Sequence, residues 1–235
     1  MKKISFLFLL CYSSIIFSQV SRITDPGSFA GPSPAIFSAW TKLDDGFIKL
    51  RTNPKNFDTE GSVYAFEKWN NRGSIYIDNK KYNLGNVNFN MWTNTIESQV
   101  GKDSVYIFDL ANVEFAYIDN RKFKSFYFTK ENKNKIFEVL YDGIDFIVMK
   151  GYEVGIKRGD PDPLMVKKVT NKFFTTKTYY VNEGINIKKI TLKKKTVLPL
   201  FKDKADLVSK FVKENNLSFK KDKDLKKIFN YYKSL

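Results

Sequence analysis

The sequence has no histidine and a single cysteine among its 235 residues. The absence of imidazole excludes Ser-His-Asp and Cys-His catalysis, and it excludes every metal site that needs a histidine ligand. Glycine is also sparse, at 12 residues, and no glycine-rich loop of the kind that cradles phosphate is found. We therefore predict no catalytic residue, no metal ligand and no cofactor, and we do not expect an enzyme.

The N-terminus combines positive charge with an apolar run. Two lysines precede an apolar stretch that ends at Phe17, and Ser18 supplies a small residue after it. This pattern is typical of a secretory signal peptide, because a membrane span needs about 20 apolar residues and this stretch is shorter. We predict a signal peptide over residues 1–18 and export to the periplasm or the exterior. Cleavage there removes Cys11, which follows the large residue Leu10 and so does not fit a lipoprotein signal.

The residues that follow the signal peptide differ from the rest of the chain. Residues 19–60 include five prolines and glycines between positions 26 and 34 and no long periodic run. We predict a loose N-terminal leader over these residues. Its later part, Ala35–Leu50, carries several aromatic and aliphatic side chains and is expected to contact the core in places. With 43 % hydrophobic residues, the chain can build one large domain or two small ones.

Residues 61–198 show the alternation of apolar and polar residues that is typical of strands. Val87–Met91 alternates strictly, and Val113–Tyr117 does so again. Ile136–Tyr141 and Ile144–Met149 flank an Asp-Gly turn and predict a hairpin. Because such runs recur at short intervals, we predict a mainly β (α+β) fold. Its architecture is an antiparallel β meander, either barrel-like or a sandwich.

Residues 199–235 change to helical periodicity. We predict two C-terminal helices, the first capped by Asp203 and the second by Ser218. Each has an apolar stripe, so this basic two-helix tail is expected to pack on the β domain. The residues predicted to face inward are Leu207, Val208, Phe211, Val212, Leu225, Ile228, Phe229 and Tyr232.

Several short segments carry a resemblance to a known family. They are Gly61–Tyr64, Gly73–Tyr76, Phe137–Gly143, Asn216–Lys220 and Asn230–Tyr232. In their order along the chain they resemble a family of small secreted β-rich proteins of the Bacteroidota that has no known activity. The resemblance implies export and the fold class, and it implies no catalytic residue or partner.

Positive charge is concentrated at the C-terminal end. The net charge is +15, and the segment from Lys188 to Leu235 holds 15 lysines against 5 acidic residues. Such a segment suits an anionic envelope surface, an acidic polysaccharide or peripheral contact with lipid headgroups, and its lack of arginine argues against specific binding of nucleic acid. The alternative is a solvated lysine-rich face. The candidate binding residues are Lys193, Lys194, Lys195, Lys220, Lys223, Lys226 and Lys227.

Three hypotheses of function follow from the sequence. The first is a secreted or periplasmic, non-catalytic binding protein of the cell envelope, with its basic C-terminal end at an anionic surface. The second is a β-barrel that carries an apolar ligand such as a lipid. The third is a hydrolase that uses carboxylates. No transmembrane span is predicted, and the sequence does not specify an oligomeric state.

Two further groups of residues bear on the choice among these hypotheses. Glu114, Glu138 and Glu153 lie in strand-like runs, where a buried glutamate of raised pKa would make a general acid. Alternation predicts instead that these glutamates face solvent. The tryptophans are candidates for stacking on a ligand, with core packing as the alternative, and they are Trp40, Trp69 and Trp92.

Overall fold

The computed structural model describes residues 48–52, 59–77, 79–101, 104–108, 113–159, 169–184 and 186–235. The predicted signal peptide, Trp40 and most of the predicted leader lie outside the described residues. From the leader segment, the structure describes Ile48–Thr52 and Thr59–Glu60, and both are strands.

The described chain is mainly β, as predicted, with helices gathered at the C-terminal end. The strands are β1 (Ile48–Thr52), β2 (Thr59–Glu60), β3 (Gly73–Ile77), β4 (Lys80–Leu84), β5 (Val87–Asn90), β6 (Thr95–Gln99), β7 (Ser104–Phe108), β8 (Phe115–Ile118), β9 (Arg121–Phe128), β10 (Lys133–Asp142), β11 (Ile147–Lys157), β12 (Asn171–Glu183) and β13 (Asn186–Ile190). The helices are α1 (Lys194–Val197), α2 (Ala205–Glu214) and α3 (Asp222–Lys233), with 3-10 turns at Thr129–Glu131 and Leu198–Lys204.

The strands form two sheets. The smaller sheet has the order β1-β7-β6-β5, and the larger has the order β13-β12-β11-β10-β9-β8-β3-β4. Among the described strands, every pairing is antiparallel except that of β2, which runs parallel to the start of β12. The larger sheet does not close on itself, and the two sheets share one apolar cluster. The arrangement is therefore closer to a sandwich than to a barrel.

Asparagines with positive φ make many of the tight connections. Asn79 lies between β3 and β4, Asn132 joins a 3-10 turn to β10, and Asn216 follows α2. Asparagine tolerates the left-handed conformation better than most residues, because its short side chain bonds to nearby backbone. The abundance of asparagine in the sequence thus supplies turns that glycine provides in many other proteins.

One face of the larger sheet carries two different layers. On β11, Tyr152 belongs to the apolar cluster shared with the smaller sheet, and Val154 packs against that cluster. Val148, on the same strand and the same face, belongs to a second cluster shared with the helices. The smaller sheet and the helical layer therefore cover neighbouring parts of one face, and Lys150 lies between them.

The two predicted C-terminal helices are present, but they begin later than predicted. α2 starts at Ala205 and α3 at Asp222, without side-chain caps. Asp203 lies instead within the 3-10 turn, and the Ser218 hydroxyl accepts a hydrogen bond from the backbone N–H of Lys220. α1, at Lys194–Val197, lies within the segment that the sequence assigns to the β domain.

The predicted inward face is confirmed except at one residue. Val208, Val212, Leu225, Ile228 and Phe229 are buried. The prediction for Leu207 is wrong, because this side chain is 45 % exposed. Val208 and Val212 point at the core. Leu207 directly precedes Val208, and successive side chains on a helix point about 100° apart, so Leu207 is turned away from the core. The remaining inward predictions, Phe211 and Tyr232, are half-buried.

Candidate functional site

A cleft of about 420 Å³ opens where the smaller sheet and the helical layer meet over the larger sheet. We call it the seam cleft. Its residues come from the segment before β3, from the turn between β5 and β6, from four strands of the larger sheet and from α3. They are Tyr64, Ala65, Met91, Arg121, Glu138, Lys150, Tyr152, Thr175, Lys177, Asp222 and Lys226.

The strand pattern explains why charged side chains lie at this seam. On β10, Ile136 belongs to the cluster beneath the smaller sheet and Leu140 to the cluster beneath the helices, with Glu138 between them. Glu138 pairs with Lys150 of β11 in register, so the two side chains stand on the same face. An acidic and a basic residue therefore interrupt the apolar face where its two covering layers separate.

The floor of the seam cleft is a network of four charged side chains. Glu138 Oε2 accepts a hydrogen bond from Arg121 Nη2 at 2.8 Å and lies 2.8 Å from Lys150 Nζ. Lys150 Nζ also donates to Asp222 Oδ2 of α3 at 2.5 Å. Glu138 and Lys150 are almost completely buried. We call these four residues the seam charges; two are positive and two negative, so their charges balance.

Two tyrosines complete this network. The Tyr152 hydroxyl donates to Glu138 and accepts a hydrogen bond from Arg121. The Tyr179 hydroxyl donates to Asp222 Oδ1 at 2.8 Å. Burial, followed by its bond to Asp222, raises the pKa of Tyr179 to about 12, so this hydroxyl keeps its proton and acts as a donor. Asp222 is thus fastened to the sheet by a lysine and a tyrosine together.

The Arg121 guanidinium is held by aromatic rings as well as by charge. Its central carbon lies 4.5 Å from the centre of the Phe66 ring. Its Nε is buried and has no hydrogen-bond partner within the described part of the chain. A cation over an aromatic face is stabilised by the ring quadrupole, which compensates in part for that missing bond.

The protonation of Glu138 is set by its neighbours. Burial alone would raise its pKa, but the positive charges and hydrogen bonds of Arg121 and Lys150 outweigh burial and lower the pKa to about 2. The carboxylate therefore stays ionised at neutral pH. A general acid needs a raised pKa. Glu138 instead holds two cations in place, and its ionised carboxylate has no proton to donate.

The prediction that Glu138 faces solvent is wrong. The residue is 2 % exposed. The alternation rule assumes that one face of a strand meets water, whereas both faces of β10 are covered: Phe137 on the opposite face packs with Phe128, Met149 and Tyr180. Glu114 and Glu153 are exposed, as alternation predicts.

A second polar cluster holds one wall of the cleft in place. Glu97 of β6 is completely buried and accepts hydrogen bonds from the Tyr64 hydroxyl at 2.9 Å, the Asn90 amide at 3.0 Å and the Thr95 hydroxyl at 2.8 Å. These bonds fix the Tyr64 side chain where it lines the seam cleft. Sequence reasoning missed Glu97, because a single glutamate in a short strand gives no signal of burial.

The seven predicted lysines fall into two groups. Lys226 is half-buried and lines the seam cleft. The other six are exposed; we call them the surface lysines, and they are Lys193, Lys194, Lys195, Lys220, Lys223 and Lys227. The first three lie at α1 and the others at or beside α3, and the two helices share one apolar cluster. Considering only residues that the structure describes, none of the seven has an ion-pair partner.

The two described tryptophans have different environments. Trp69 is half-buried, with its ring 4.7 Å from that of Tyr64 in an edge contact. Trp92 is 51 % exposed and meets Phe173 edge to face at 5.9 Å. Trp92 directly follows Met91, which lines the seam cleft, so an exposed indole stands beside the cleft.

No local pattern in the sequence pairs Glu138 with Lys150. The predicted hairpin strands are Ile136–Tyr141 and Ile144–Met149, and their two-residue turn would place Glu138 opposite Ile147. A register shift between Val139 and Tyr141 places it opposite Lys150 instead. Arg121, Tyr152, Tyr179 and Asp222 reach the site from separate elements, and nothing local in the sequence groups them.

The described residues form neither a metal-binding cluster nor a membrane-spanning helix. In the described ranges, no group of three or more histidine, cysteine, aspartate or glutamate side chains is placed to hold a metal ion. No helix among the described residues is both long and apolar enough to cross a membrane.

Comparison with protein-family models, curated proteins and solved structures gives no match for this chain.

Proposed function

We propose that this protein is exported and acts as a non-catalytic binding protein of the cell envelope, whose basic C-terminal end rests on an anionic surface. The observation that carries the proposal is the set of surface lysines, which are exposed and have no ion-pair partner in the described part of the chain. Exposed positive charge on a packed helical layer attracts negative charge on a partner.

The expected strength of binding to an anionic surface follows from the number of exposed lysines. Near an anionic membrane each lysine contributes about 1 kcal/mol, so three lysines around α3 give measurable binding at low salt. Exposed charges are screened over about 8 Å at physiological ionic strength. Binding should therefore weaken steeply as salt rises, and it should depend little on the chemical nature of the anion, since a lysine head is a point charge.

The test is co-sedimentation of the full chain across a salt series. The partners are vesicles with anionic lipid, vesicles of neutral lipid, and an insoluble acidic polysaccharide. We expect binding to the anionic partners at low salt and no binding to neutral vesicles. Changing Lys220, Lys223 and Lys227 to Gln should remove most of the binding to anionic vesicles while the far-ultraviolet circular dichroism stays the same. The proposal fails if this variant binds as the wild type does, or if neither binds at low salt.

The two other functions have less support. A carrier of an apolar ligand was expected to enclose it in a barrel, and the larger sheet is open. A carboxylate hydrolase needs a proton donor beside its second carboxylate, and the lowered pKa of Glu138 does not favour that role. Neither alternative has a specific observation in its favour.

A further inference from the structure

The seam cleft carries more positive charge than its floor can neutralise. The seam charges balance one another, two against two. Lys177 of β12 and Lys226 of α3 also line the cleft, and among the described residues neither has an ion-pair partner. Two uncompensated lysines therefore stand over a neutral floor, and a ligand that brings negative charge would complete the site.

A surface that we call the ledge continues from the cleft along β12, and it consists of Phe173, Thr175, Lys177 and the exposed ring of Trp92. Phe173, Thr175 and Lys177 stand on the same face of the strand, at alternate positions. Thr175 and Lys177 line the cleft, and Phe173 supports the exposed ring of Trp92. The positive charges and the indole thus belong to one continuous surface.

The length of this surface limits the ligand. Phe173 and Lys177 are four residues apart, which is about 13 Å along a strand. One sugar ring or one small anion cannot reach from the indole to both lysines. An extended oligomer can.

We propose that the seam cleft and the ledge bind a short segment of an acidic polysaccharide. A sugar carboxylate lies between Lys177 and Lys226, and a neighbouring sugar ring stacks on Trp92. The inference rests on the proposed function, since Lys226 is one of the seven lysines that the sequence predicts to bind an anionic partner, and it names the chemistry of that partner.

The mixed charge of the cleft favours a sugar acid over a polyphosphate. Asp222 is one-third exposed at its side chain and can accept hydrogen bonds from sugar hydroxyls. The same carboxylate repels the closely spaced phosphates of a nucleic acid strand. The Tyr64 and Thr175 side chains add hydroxyl groups to the lining, which suits a ligand that carries many hydroxyls of its own.

The test is isothermal titration of the full chain with hexagalacturonate, and with a neutral glucose hexamer as the matched control. We expect binding of the acidic hexamer and at least tenfold weaker binding of the neutral one. Lys177→Gln and Trp92→Ala should each weaken binding of the acidic hexamer about tenfold. Trp92→Phe, which keeps an aromatic face, should retain most of it. The triple change of Lys220, Lys223 and Lys227 to Gln should weaken it less than threefold, because those lysines lie outside the cleft.

The outcomes separate this inference from the proposed function. If the Lys177 and Trp92 variants bind the hexamer as the wild type does, while the triple variant loses co-sedimentation, the inference is overturned and the proposed function stands. If the wild type binds neither the hexamer nor any anionic partner, both are overturned. Equal binding of a single-stranded oligonucleotide or of anionic vesicles, lost in the same Lys177 and Trp92 variants, overturns the assignment to a polysaccharide.

Discussion

The seam charges and the surface lysines are two opposite uses of charge in one chain. Glu138 and Lys150 are buried, and every charge in their network meets an opposite charge. The surface lysines are exposed and lack such partners within the described residues. The seam charges link β9, β10, β11 and α3 through ion pairs. The surface lysines form no ion pair within the described fold.

This difference has an energetic meaning. Breaking a buried ion pair by removing one partner leaves a charge without compensation and is strongly destabilising. Removing an exposed lysine usually changes the stability by about 0.5 kcal/mol or less. The seam charges should therefore affect folding stability, and the surface lysines should affect binding alone.

The largest effect is expected at Glu138. Glu138→Gln keeps the shape of the side chain but leaves Arg121 and Lys150 with one carboxylate fewer, and we expect a loss of about 4 kcal/mol in the free energy of unfolding. Urea denaturation followed by circular dichroism measures it. The control is Glu153→Gln, since Glu153 is exposed and lies 3.5 Å from Lys135; it should cost about 1 kcal/mol or less. Equal losses in the two variants would contradict the distinction between buried and exposed charge.

The next effect concerns the apolar contacts that hold the helical layer beside the seam. Phe229 of α3 is 1 % exposed and stacks on Tyr141 of β10 at 4.8 Å. Phe229→Ala should cost about 3 kcal/mol, because it leaves a cavity between helix and sheet. Leu207→Ala, at an exposed position, should cost about 0.5 kcal/mol. Thermal denaturation of the two variants compares them, and an unchanged melting temperature for Phe229→Ala would mean that α3 is not packed as described.

Acid should produce a smaller and graded effect. The pKa of Glu138 is lowered from 4.5 to about 2, so the folded state holds this carboxyl ionised at pH values where the unfolded chain protonates it. The stability from this group is present above about pH 4.5 and is lost as the pH falls towards 2. Urea midpoints measured over that interval should fall more steeply for the wild type than for Glu138→Gln. Parallel curves would show that Glu138 does not carry the acid sensitivity.

Much of the fold was accessible from the sequence, because its signals are local. Alternation over Val87–Met91 predicts β5, and the apolar spacing after residue 220 predicts α3 with Leu225, Ile228 and Phe229 inside. Helix starts were less accessible: Asp203 and Ser218 are good capping residues, yet a 3-10 turn and a polar turn use them instead.

The site was harder to predict, because it depends on contacts between distant segments. Asp222 meets Lys150 across 72 positions of the chain, and the seam exists only because the smaller sheet and the helical layer cover adjacent parts of one sheet face. The prediction for Glu138 was wrong for the same reason. Alternation assumes that one face of a strand is exposed to solvent, whereas both faces of β10 are covered at Glu138. The predicted surface lysines needed no long-range contact, and their exposure follows from composition and helical spacing.

The central claim is that the surface lysines, which have no ion-pair partner among the described residues, bind the anionic partner, and that the net charge of the chain alone does not explain this binding. Two variants with the same net charge test it. One changes four of the surface lysines to Gln, namely Lys194, Lys220, Lys223 and Lys227. The other changes four exposed lysines that are paired with carboxylates, namely Lys133, Lys172, Lys188 and Lys210.

The measurement is co-sedimentation of both variants with vesicles of anionic lipid at low salt. The variant that lacks four surface lysines should stay in the supernatant, and the variant that lacks the paired lysines should sediment nearly as the wild type does. Equal loss of binding in the two variants would contradict the central claim, because binding would then follow total charge and not the placement of the lysines.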